Sequence, residues 1–276
     1  MKLEDFVKLE RHRIWVKGSK HQNDSLRRVE KLALFCGNIE LSKIDADKIH
    51  AFFDKLQEDG LSVATVDKYG ATISSVMKHA KRTKKIHEKP DFVWRKSPEG
   101  RVRFFSDSER EQLLTFLKYS DAPWMADMVT LSLTTGMRLG EIEQLIKGDV
   151  GFRNDMESDR PTIYLPKTKN GRERYIPLSS AALLSATKLH NSRCYNSRKF
   201  YTVWGEARHK IARGDKQFVF HVCRHTCATI MANKLQTNTI VIMDMLGHRN
   251  YKTTQKYVHG VSATRFKVAD AMDKLL

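Results

Sequence analysis

Strand-like patterns in this 276-residue chain fall within one short stretch, and helical patterns lie on both sides of it. Three strands are predicted, at 149–152, 162–165 and 173–178. The Asn170-Gly171 pair between the last two strands is a strong signal for a hairpin turn. We therefore predict a mainly α protein with a small antiparallel β-sheet, which is an α+β fold.

The first part of the chain has the pattern of a small helical bundle. Residues 26–35, 45–58 and 62–82 each carry apolar side chains at three- and four-residue spacing, which is typical of helices with one buried face. Asp45 suits the positive start of the second helix, and Gly60 is placed to end it.

Helices are also predicted on both sides of the strands in the second part. Ser106 and Glu109 have the spacing of a capping box at a helix start. Gly136 is expected to end a more apolar helix at about 123–134, and a new helix is predicted at about 138–146.

A basic, non-periodic stretch joins the two parts. Residues 78–103 hold ten lysines and arginines but only three acids. This composition predicts a domain linker that lies along a DNA backbone, and a merely solvated loop is the alternative. We predict a helical domain over 1–88, a linker over 89–103 and a second domain over 104–276.

The charge of the whole chain favours a polyanionic partner. There are 49 Lys+Arg against 32 Asp+Glu, which gives a formal net charge of +17. Nucleic acid is the favoured partner, with an anionic membrane surface as the alternative. No apolar run reaches the length of about 20 residues that spans a bilayer, and residues 1–10 lack the apolar stretch of a signal peptide. We expect a cytoplasmic protein, associated with the nucleoid in a prokaryotic host.

Four possible metal ligands lie close together in the second part, namely His221, Cys223, His225 and Cys227. On one helix, the two histidines and the two cysteines form stripes about 160° apart, since each residue advances ~100°. Ligands cannot converge from opposite faces of one helix, so core cysteines are favoured over zinc. Neither a metal nor another cofactor is predicted.

Four segments of the second part concentrate groups that bind or attack phosphate. In the first, 134–141, Arg138 stands at a helix start where backbone N–H groups also attract anions, and Glu141 lies one turn on. A surface salt bridge is the alternative for such a pair. The second segment, 167–174, places lysines at the hairpin, where they are normally solvated.

The third and fourth segments supply histidines, an arginine and a tyrosine. His221, Arg224 and His225 fall on one helical face, which suits a phosphate clamp, although a scattered polar surface is the alternative. His248 follows a glycine turn, and Tyr257 comes nine residues later. A tyrosine oxygen, with a pKa near ~10, needs positive charge and a base nearby to attack phosphorus.

In this order, the segments at 135–142, 167–178, 221–229 and 246–259 resemble the tyrosine recombinase family, which includes phage integrases and Xer recombinases. The resemblance covers nearly all of 104–262, and the helical first part is less specifically similar to the family's core-type DNA-binding domain. It implies a catalytic domain of the tyrosine recombinase type behind a helical core-binding domain.

The resemblance also implies roles for individual residues. Arg138 and Arg224 would hold the non-bridging oxygens of the scissile phosphate, and Glu141 would support Arg138. Lys169 would protonate the leaving 5′ oxygen, with Lys167 as the second candidate for that role.

The remaining roles fall on histidines and a tyrosine. His221 matches the histidine paired with the second arginine, and His225 matches a frequent second histidine with a supporting role. His248 matches the last histidine before the nucleophile. Tyr257 matches the nucleophile itself, and Tyr251 does not fit the family's spacing.

The implied function is site-specific DNA recombination through a 3′-phosphotyrosyl intermediate, in phage or mobile-element integration and excision. The alternatives are an Xer-like chromosome or plasmid dimer resolvase and a non-catalytic DNA-binding relative. The chain leaves no room for a separate arm-binding domain, which favours a simple recombinase or a minimal integrase. The predicted contacts with the DNA backbone are Lys78, Lys81, Arg82, Lys84, Lys85, Arg101 and Arg103.

The predicted partner is double-stranded DNA that contains a specific recombination site. A homotetramer on this DNA is expected through a terminal helix at 262–276, and packing of that helix on its own domain is the alternative. An accessory DNA-bending or directionality factor is a further expected partner.

Overall fold

The computed structural model describes residues 1–95, 102–166 and 173–257. The chain divides into two compact units, Met1–Gly100 and Arg101–Leu276. Helices dominate both units, and one three-stranded antiparallel sheet lies in the second. The predicted fold class, mainly α with a small antiparallel sheet, is confirmed. No helix in the described part of the chain is long and apolar enough to cross a membrane.

The described part of the first unit contains four α-helices around an aromatic and aliphatic core. They are α1 (Leu3–Ile14), α2 (Lys20–Cys36), α3 (Ala46–Glu58) and α4 (Val63–Arg82). Phe6, Leu32, Phe52 and Met77 are fully buried between them, one from each helix. The spacing of apolar residues that predicted the bundle is therefore the spacing of its core.

Helix α1 was not predicted from the sequence. Leu3, Phe6 and Val7 have helical spacing and are buried, but Lys2 at the N-cap makes no side-chain cap. Without a side-chain cap, the helix lacks the start signal that Ser19 provides for α2. Helix α2 begins at Lys20 rather than at 26, because Ser19 accepts a hydrogen bond from the Gln22 N–H at 3.1 Å and caps it there.

The basic stretch between the units is anchored at its described ends. Phe92 is buried in the core of the first unit, and Lys89 Nζ donates to Ser74 Oγ at 3.0 Å. On the other side, Arg103 forms ion pairs with Glu109 and Asp215 of the second unit. Residues 96–101 lie outside the described residues.

The second unit contains eight described helices and the sheet. The helices are α5 (Asp107–Lys118), α6 (Trp124–Thr135), α7 (Leu139–Lys147), α8 (Ser180–Ser192), α9 (Ser197–Ala212), α10 (His221–Thr229), α11 (Thr239–Leu246) and α12 (Tyr251–Gln255). Helix α6 packs against α5, α8 and α10, and its Met125, Met128 and Val129 are fully buried. The predicted capping box of Ser106 and Glu109 is present at the start of α5.

The sheet has the order β1-β2-β3, with β1 at Gly151–Asn154, β2 at Pro161–Leu165 and β3 at Arg174–Pro177. Strand β2 pairs with β3 so that Leu165 lies opposite Arg174. The first strand starts two residues later than predicted, because α7 runs to Lys147 and ends on Gly148 in the left-handed conformation. Residues 167–172, which include the predicted hairpin turn, lie outside the described residues.

Candidate active site

A glycine in the left-handed backbone conformation allows the end of α6 and the end of α11 to approach each other. Gly136 ends α6 with a φ of +69°, and a Cβ there would lie 2.3 Å from Leu246 Cδ2 at the end of α11. Only glycine fits this backbone angle and this gap without displacing a neighbour. The two chain segments therefore approach closely, with a carbonyl on each facing Arg224.

Arg138 and Glu141 form the pair that the sequence predicted. The Arg138 backbone N–H donates to Glu141 Oε2 at 2.9 Å, and Arg138 Nη1 donates to Oε1 at 2.7 Å. Burial would raise the pKa of Glu141, but the charges of Arg174 and Arg138 outweigh it and hold that pKa below its ordinary value. Glu141 is therefore a carboxylate at neutral pH, and it fixes the start of α7 and the guanidinium of Arg138 together.

Arg224 is a buried cation held by carbonyl groups. Its side chain rises from α10 and the residue is 1% exposed. Nη1 donates to the Gly136 carbonyl at 2.7 Å, and Nη2 donates to the Leu246 carbonyl at 2.5 Å. Burial, together with repulsion from Arg138 and Arg174, lowers its pKa to about 9, so it still carries its charge at pH 7.

The site holds more positive than negative charge. Arg138 and Arg174 both contact the buried carboxylate of Glu141, whereas Arg224 makes no ion pair with a carboxylate among the residues that the structure describes. Buried charges in proteins are normally paired, because an unpaired one loses its hydration without compensation. The arrangement is suited to an anion, and paired arginines are well suited to the oxygens of a phosphate.

Tyr257 lies against two histidines in this site. Its hydroxyl is 2.6 Å from Nδ1 of His225, and its ring stacks on that of His248 with centroids 6.3 Å apart. The residue is 4% exposed, and Asn233 Nδ2 donates to its carbonyl at 3.1 Å. His248 Nδ1 lies 2.8 Å from the Thr254 hydroxyl.

The protonation states at neutral pH allow Tyr257 to donate a hydrogen bond to His225. Burial raises the pKa of Tyr257, an effect that the charges of Arg224 and Arg138 oppose, so the phenol keeps its proton at rest. Burial is also the main cause that lowers the pKa of His225 to about 4, which leaves its ring neutral at pH 7. A neutral imidazole has one nitrogen free to accept, so the phenolic O–H can donate to Nδ1.

The part of the chain that contains this site matches a known protein family. Residues 103–263 match the model of the phage integrase family. The chain belongs to this family. The predicted resemblance to tyrosine recombinases is confirmed.

Individual relatives agree with this assignment. The chain is 29% identical to the tyrosine recombinase XerA of Saccharolobus solfataricus over 136 residues, which cover 48% of this chain and 44% of that protein. It is 28% identical to the tyrosine recombinase XerC of Bacillus subtilis over 75% of this chain and 74% of that protein. A solved structure of the Tn1549 transposon integrase, in complex with a circular intermediate DNA, covers all of both chains with a TM-score of 0.75 and 19% identity, which shows a shared fold.

In this integrase-family chain, six predicted residues of the second unit are brought together with Tyr257. Arg138, Glu141 and Arg224 share one network of hydrogen bonds and charges, and His225 and His248 contact the tyrosine ring. His221 packs its ring edge-on against His225, with centroids 4.6 Å apart.

Further residues that the sequence singled out are either outside the described part of the chain or apart from this cluster. Lys169 and Lys167 fall outside the described residues. Tyr251 on α12 is 54% exposed, in contrast to the buried Tyr257. Cys223 and Cys227 are both buried, on the side of α10 that packs into the core.

The predicted DNA-backbone contacts fall in several places. Lys78, Lys81 and Arg82 line a cavity of about 520 Å³ beside Arg13 in the first unit. Lys84 and Lys85 follow α4 in exposed positions. In the second unit, the charge of Arg103 is already paired with acids, while Arg101 lies outside the described residues.

Sequence reasoning missed Arg174. Its side chain is buried in the site, where Nη2 donates to Glu141 Oε2 at 2.8 Å and Nη1 donates to the Leu246 carbonyl at 2.6 Å. A signal was present, because Arg174 and Ile176 occupy the inward positions of β3 while Tyr175 and Pro177 are exposed. A charged residue at an inward position of a strand points to a buried partner.

Proposed function

We propose that this chain is a site-specific DNA recombinase that cuts and rejoins strands through a 3′-phosphotyrosyl bond to Tyr257. The observation that carries the proposal is the buried phenolic hydroxyl, 2.6 Å from a neutral histidine nitrogen and within the field of Arg224 and Arg138. A nucleophile, a proton acceptor and an anion clamp are the parts that phosphoryl transfer requires.

In the first step of this mechanism, the Tyr257 oxygen attacks the scissile phosphorus as His225 takes the phenolic proton. Arg138 and Arg224 neutralise the charge that builds on the phosphorane oxygens. The bond from phosphorus to the 5′ oxygen then breaks. By family resemblance, Lys169 donates the proton that the leaving oxygen needs.

In the second step, a 5′ hydroxyl attacks the phosphorus and gives its proton to Lys169, while the bond from phosphorus to the Tyr257 oxygen breaks. The leaving phenolate takes back the proton that His225 holds. The covalent link conserves the energy of the phosphodiester bond, so no nucleoside triphosphate is consumed. Attack by the 5′ end of another strand recombines the DNA, whereas attack by the original strand restores it.

The proposed biological role is integration and excision of a phage or mobile element. The match to the phage integrase family supports it. An Xer-like dimer resolvase is the second candidate, which the similarity to XerC and XerA favours. A non-catalytic relative is disfavoured by the ordered contacts around Tyr257.

The proposed partner is double-stranded DNA with a specific recombination site, on which the chain forms a homotetramer. The net charge of +17 supports the DNA partner. The terminal helix proposed to join the subunits, at 262–276, lies outside the described residues. An accessory DNA-bending or directionality factor completes the proposed assembly.

The first prediction concerns Tyr257→Phe, which should retain DNA binding and lose covalent capture of DNA, because only the attacking oxygen is removed. Duplexes that bind this variant are enriched from a random-sequence pool. The wild-type chain and the variant are then each incubated with the enriched duplex. This duplex carries a nick at one of a series of successive positions, so that the short strand end released by cleavage diffuses away. Protein–DNA adducts are measured on a denaturing gel.

Tyr251→Phe is the matched control, because it removes the same atom from an exposed tyrosine six positions away. It should form adduct at the wild-type rate. If Tyr257→Phe still forms adduct, the nucleophile is another residue. If Tyr251→Phe alone loses the adduct, the nucleophile is Tyr251.

A further inference from the structure

We infer that Arg174 is a positioning residue that joins the two halves of the proposed phosphate clamp. One half is Arg138 with its carboxylate Glu141, and the other is Arg224 with the Leu246 carbonyl. Arg174 bridges these halves with one guanidinium, through the Glu141 and Leu246 oxygens. The inference rests on the proposed function, since it concerns the residues proposed to hold the scissile phosphate.

On the first side, Glu141 is held between two arginines. Its Oε2 atom accepts from Arg174 Nη2 at 2.8 Å and from the Arg138 backbone N–H at 2.9 Å. Its Oε1 atom accepts from Arg138 Nη1 at 2.7 Å. Because the carboxylate is planar, a fixed bond to Arg174 also fixes the direction from which it holds the Arg138 guanidinium.

On the second side, the Leu246 carbonyl accepts from two arginines. Arg174 Nη1 lies 2.6 Å from this oxygen and Arg224 Nη2 lies 2.5 Å from it. The carbonyl belongs to the last turn of α11, where helix carbonyls lack an intrahelical partner and carry partial negative charge. Arg174 therefore fixes the group that anchors Arg224.

The turn that carries His248 is shaped around the same guanidinium. Gly247 adopts a φ of +65°, and a Cβ there would lie 2.8 Å from Arg174 Nη1. The glycine lets the backbone pass close over Arg174 and delivers His248 directly afterwards. Arg174 thus contacts Glu141, which supports Arg138, and the Leu246 carbonyl, which anchors Arg224. It also lies against the turn before His248.

Arg174 also opens strand β3, opposite Leu165 at the end of β2. Residues 167–172, with the predicted Lys169, connect these two positions. The two buried contacts of Arg174 therefore fix the first residue of β3 in the site.

The positive charge of Arg174 lowers the pKa of Glu141, in addition to the hydrogen bond between the two residues. Glu141 faces Arg138 from the start of α7, Arg224 from α10 and Arg174 from β3, while Asp244 of α11 interacts with Arg174. Burial raises the pKa of Glu141, and Arg174 is the largest of the influences that lower it. His248 also lies within the field of Arg174.

This gives a second prediction, in which Arg174→Met and Arg174→Lys behave differently. Arg174→Met should slow adduct formation about 10- to 100-fold at pH 8, by analogy with the loss of residues that orient the ligands of a metal ion. Its rate should fall further as the pH is lowered towards 5, because Glu141 then binds a proton that it does not bind in the wild type. Arg174→Lys keeps a charge but cannot reach both oxygens, so it should be slower with a wild-type pH profile.

Two further variants separate positioning from folding. Glu141→Gln combined with Arg174→Met should lose the added pH dependence, since the titrating group is gone. Ile176→Ala removes core contacts from the same strand and should form adduct at nearly the wild-type rate at a temperature where it is folded. An equal loss of rate in Ile176→Ala and Arg174→Met would overturn the inference, as would a wild-type rate in Arg174→Lys.

A measurement without DNA distinguishes this inference from the proposed function. The pKa of Glu141 is followed by carbon NMR of chains labelled at the glutamate carboxyl carbon, with Glu141→Gln to assign the signal. It should be raised in Arg174→Met and close to the wild-type value in Arg174→Lys. If the wild-type chain forms no adduct, the proposed function fails, and an unchanged Glu141 pKa in Arg174→Met overturns the inference independently.

Discussion

At the scale of single residues, the contact between Tyr257 and His225 defines the proposed chemistry. The 2.6 Å separation of the hydroxyl from Nδ1 gives a direct path for the proton, and burial keeps the imidazole neutral with a pKa of about 4. Only the neutral ring can accept the phenolic proton. His225 can therefore act as the acceptor above this pKa, and it loses that ability as the pH falls below it. The His221 ring packs edge-on against the His225 ring, with centroids 4.6 Å apart.

The third prediction follows from this geometry. His225→Ala should slow adduct formation by about 10²–10⁴, the usual contribution of a positioned acid or base. Its remaining rate should rise with pH up to the pKa of Tyr257, because the phenol must then ionise unaided. Rapid-quench measurements from pH 5 to 10 test this, with exposed His209→Ala as the control. A wild-type rate and pH profile in His225→Ala would assign the proton to another group.

The pattern of residues predicted which side chains face the site but not which atoms touch. The positions 221, 224 and 225 share a helical face, and Arg138 and Glu141 are one turn apart, so local spacing was sufficient for both groups. The distance of Tyr257 from His225 depends on the chain between them, which spacing does not determine. Arg174 was missed because its partners, Glu141 and Leu246, come from other elements.

At the scale of elements, the close approach of α6 to the end of α11 holds the Arg224 pocket together. The fourth prediction is that Gly136→Ala destabilises the second unit by about 2 kcal/mol or more, from a left-handed backbone and a crowded Cβ together. Gly214→Ala is the matched control, because Gly214 also has a positive φ, of +81°, but a Cβ there meets nothing within 4 Å. Hydrogen exchange of the second unit measures both, and equal losses would contradict the role of the contact with Leu246.

Two element boundaries were predicted from a cap and a glycine, whereas the Ser19 cap at the start of α2 was overlooked. Ser106 and Gly136 mark such boundaries, whereas α1 has no side-chain cap and was missed. The π-helical turn Ile230–Lys234, which continues α10, also had no signal. At ~100° per residue, position 233 of an α-helix would lie about 80° away from His225, and the wider π turn brings Asn233 back to reach the Tyr257 carbonyl.

At the scale of the whole molecule, the excess of positive charge should dominate the affinity for DNA. The fifth prediction is a steep salt dependence, in which 6–10 phosphate contacts cost about 10³–10⁵ in affinity between 50 and 200 mM salt. Lys78→Gln and Lys81→Gln should each reduce the slope by about one, because each removes one proposed phosphate contact. Fluorescence anisotropy with the enriched duplex measures the slope, and a flat response would contradict the proposal.

In the proposed reaction, the phenolic oxygen of Tyr257 becomes joined to DNA inside this clamp. The most direct measurement is mass spectrometry of the trapped protein–DNA adduct after digestion with nuclease and protease. A nucleotide attached through its 3′ phosphate to Tyr257, in the peptide that follows α12, is expected. A nucleotide on any other residue, or one attached through a 5′ phosphate, would contradict it.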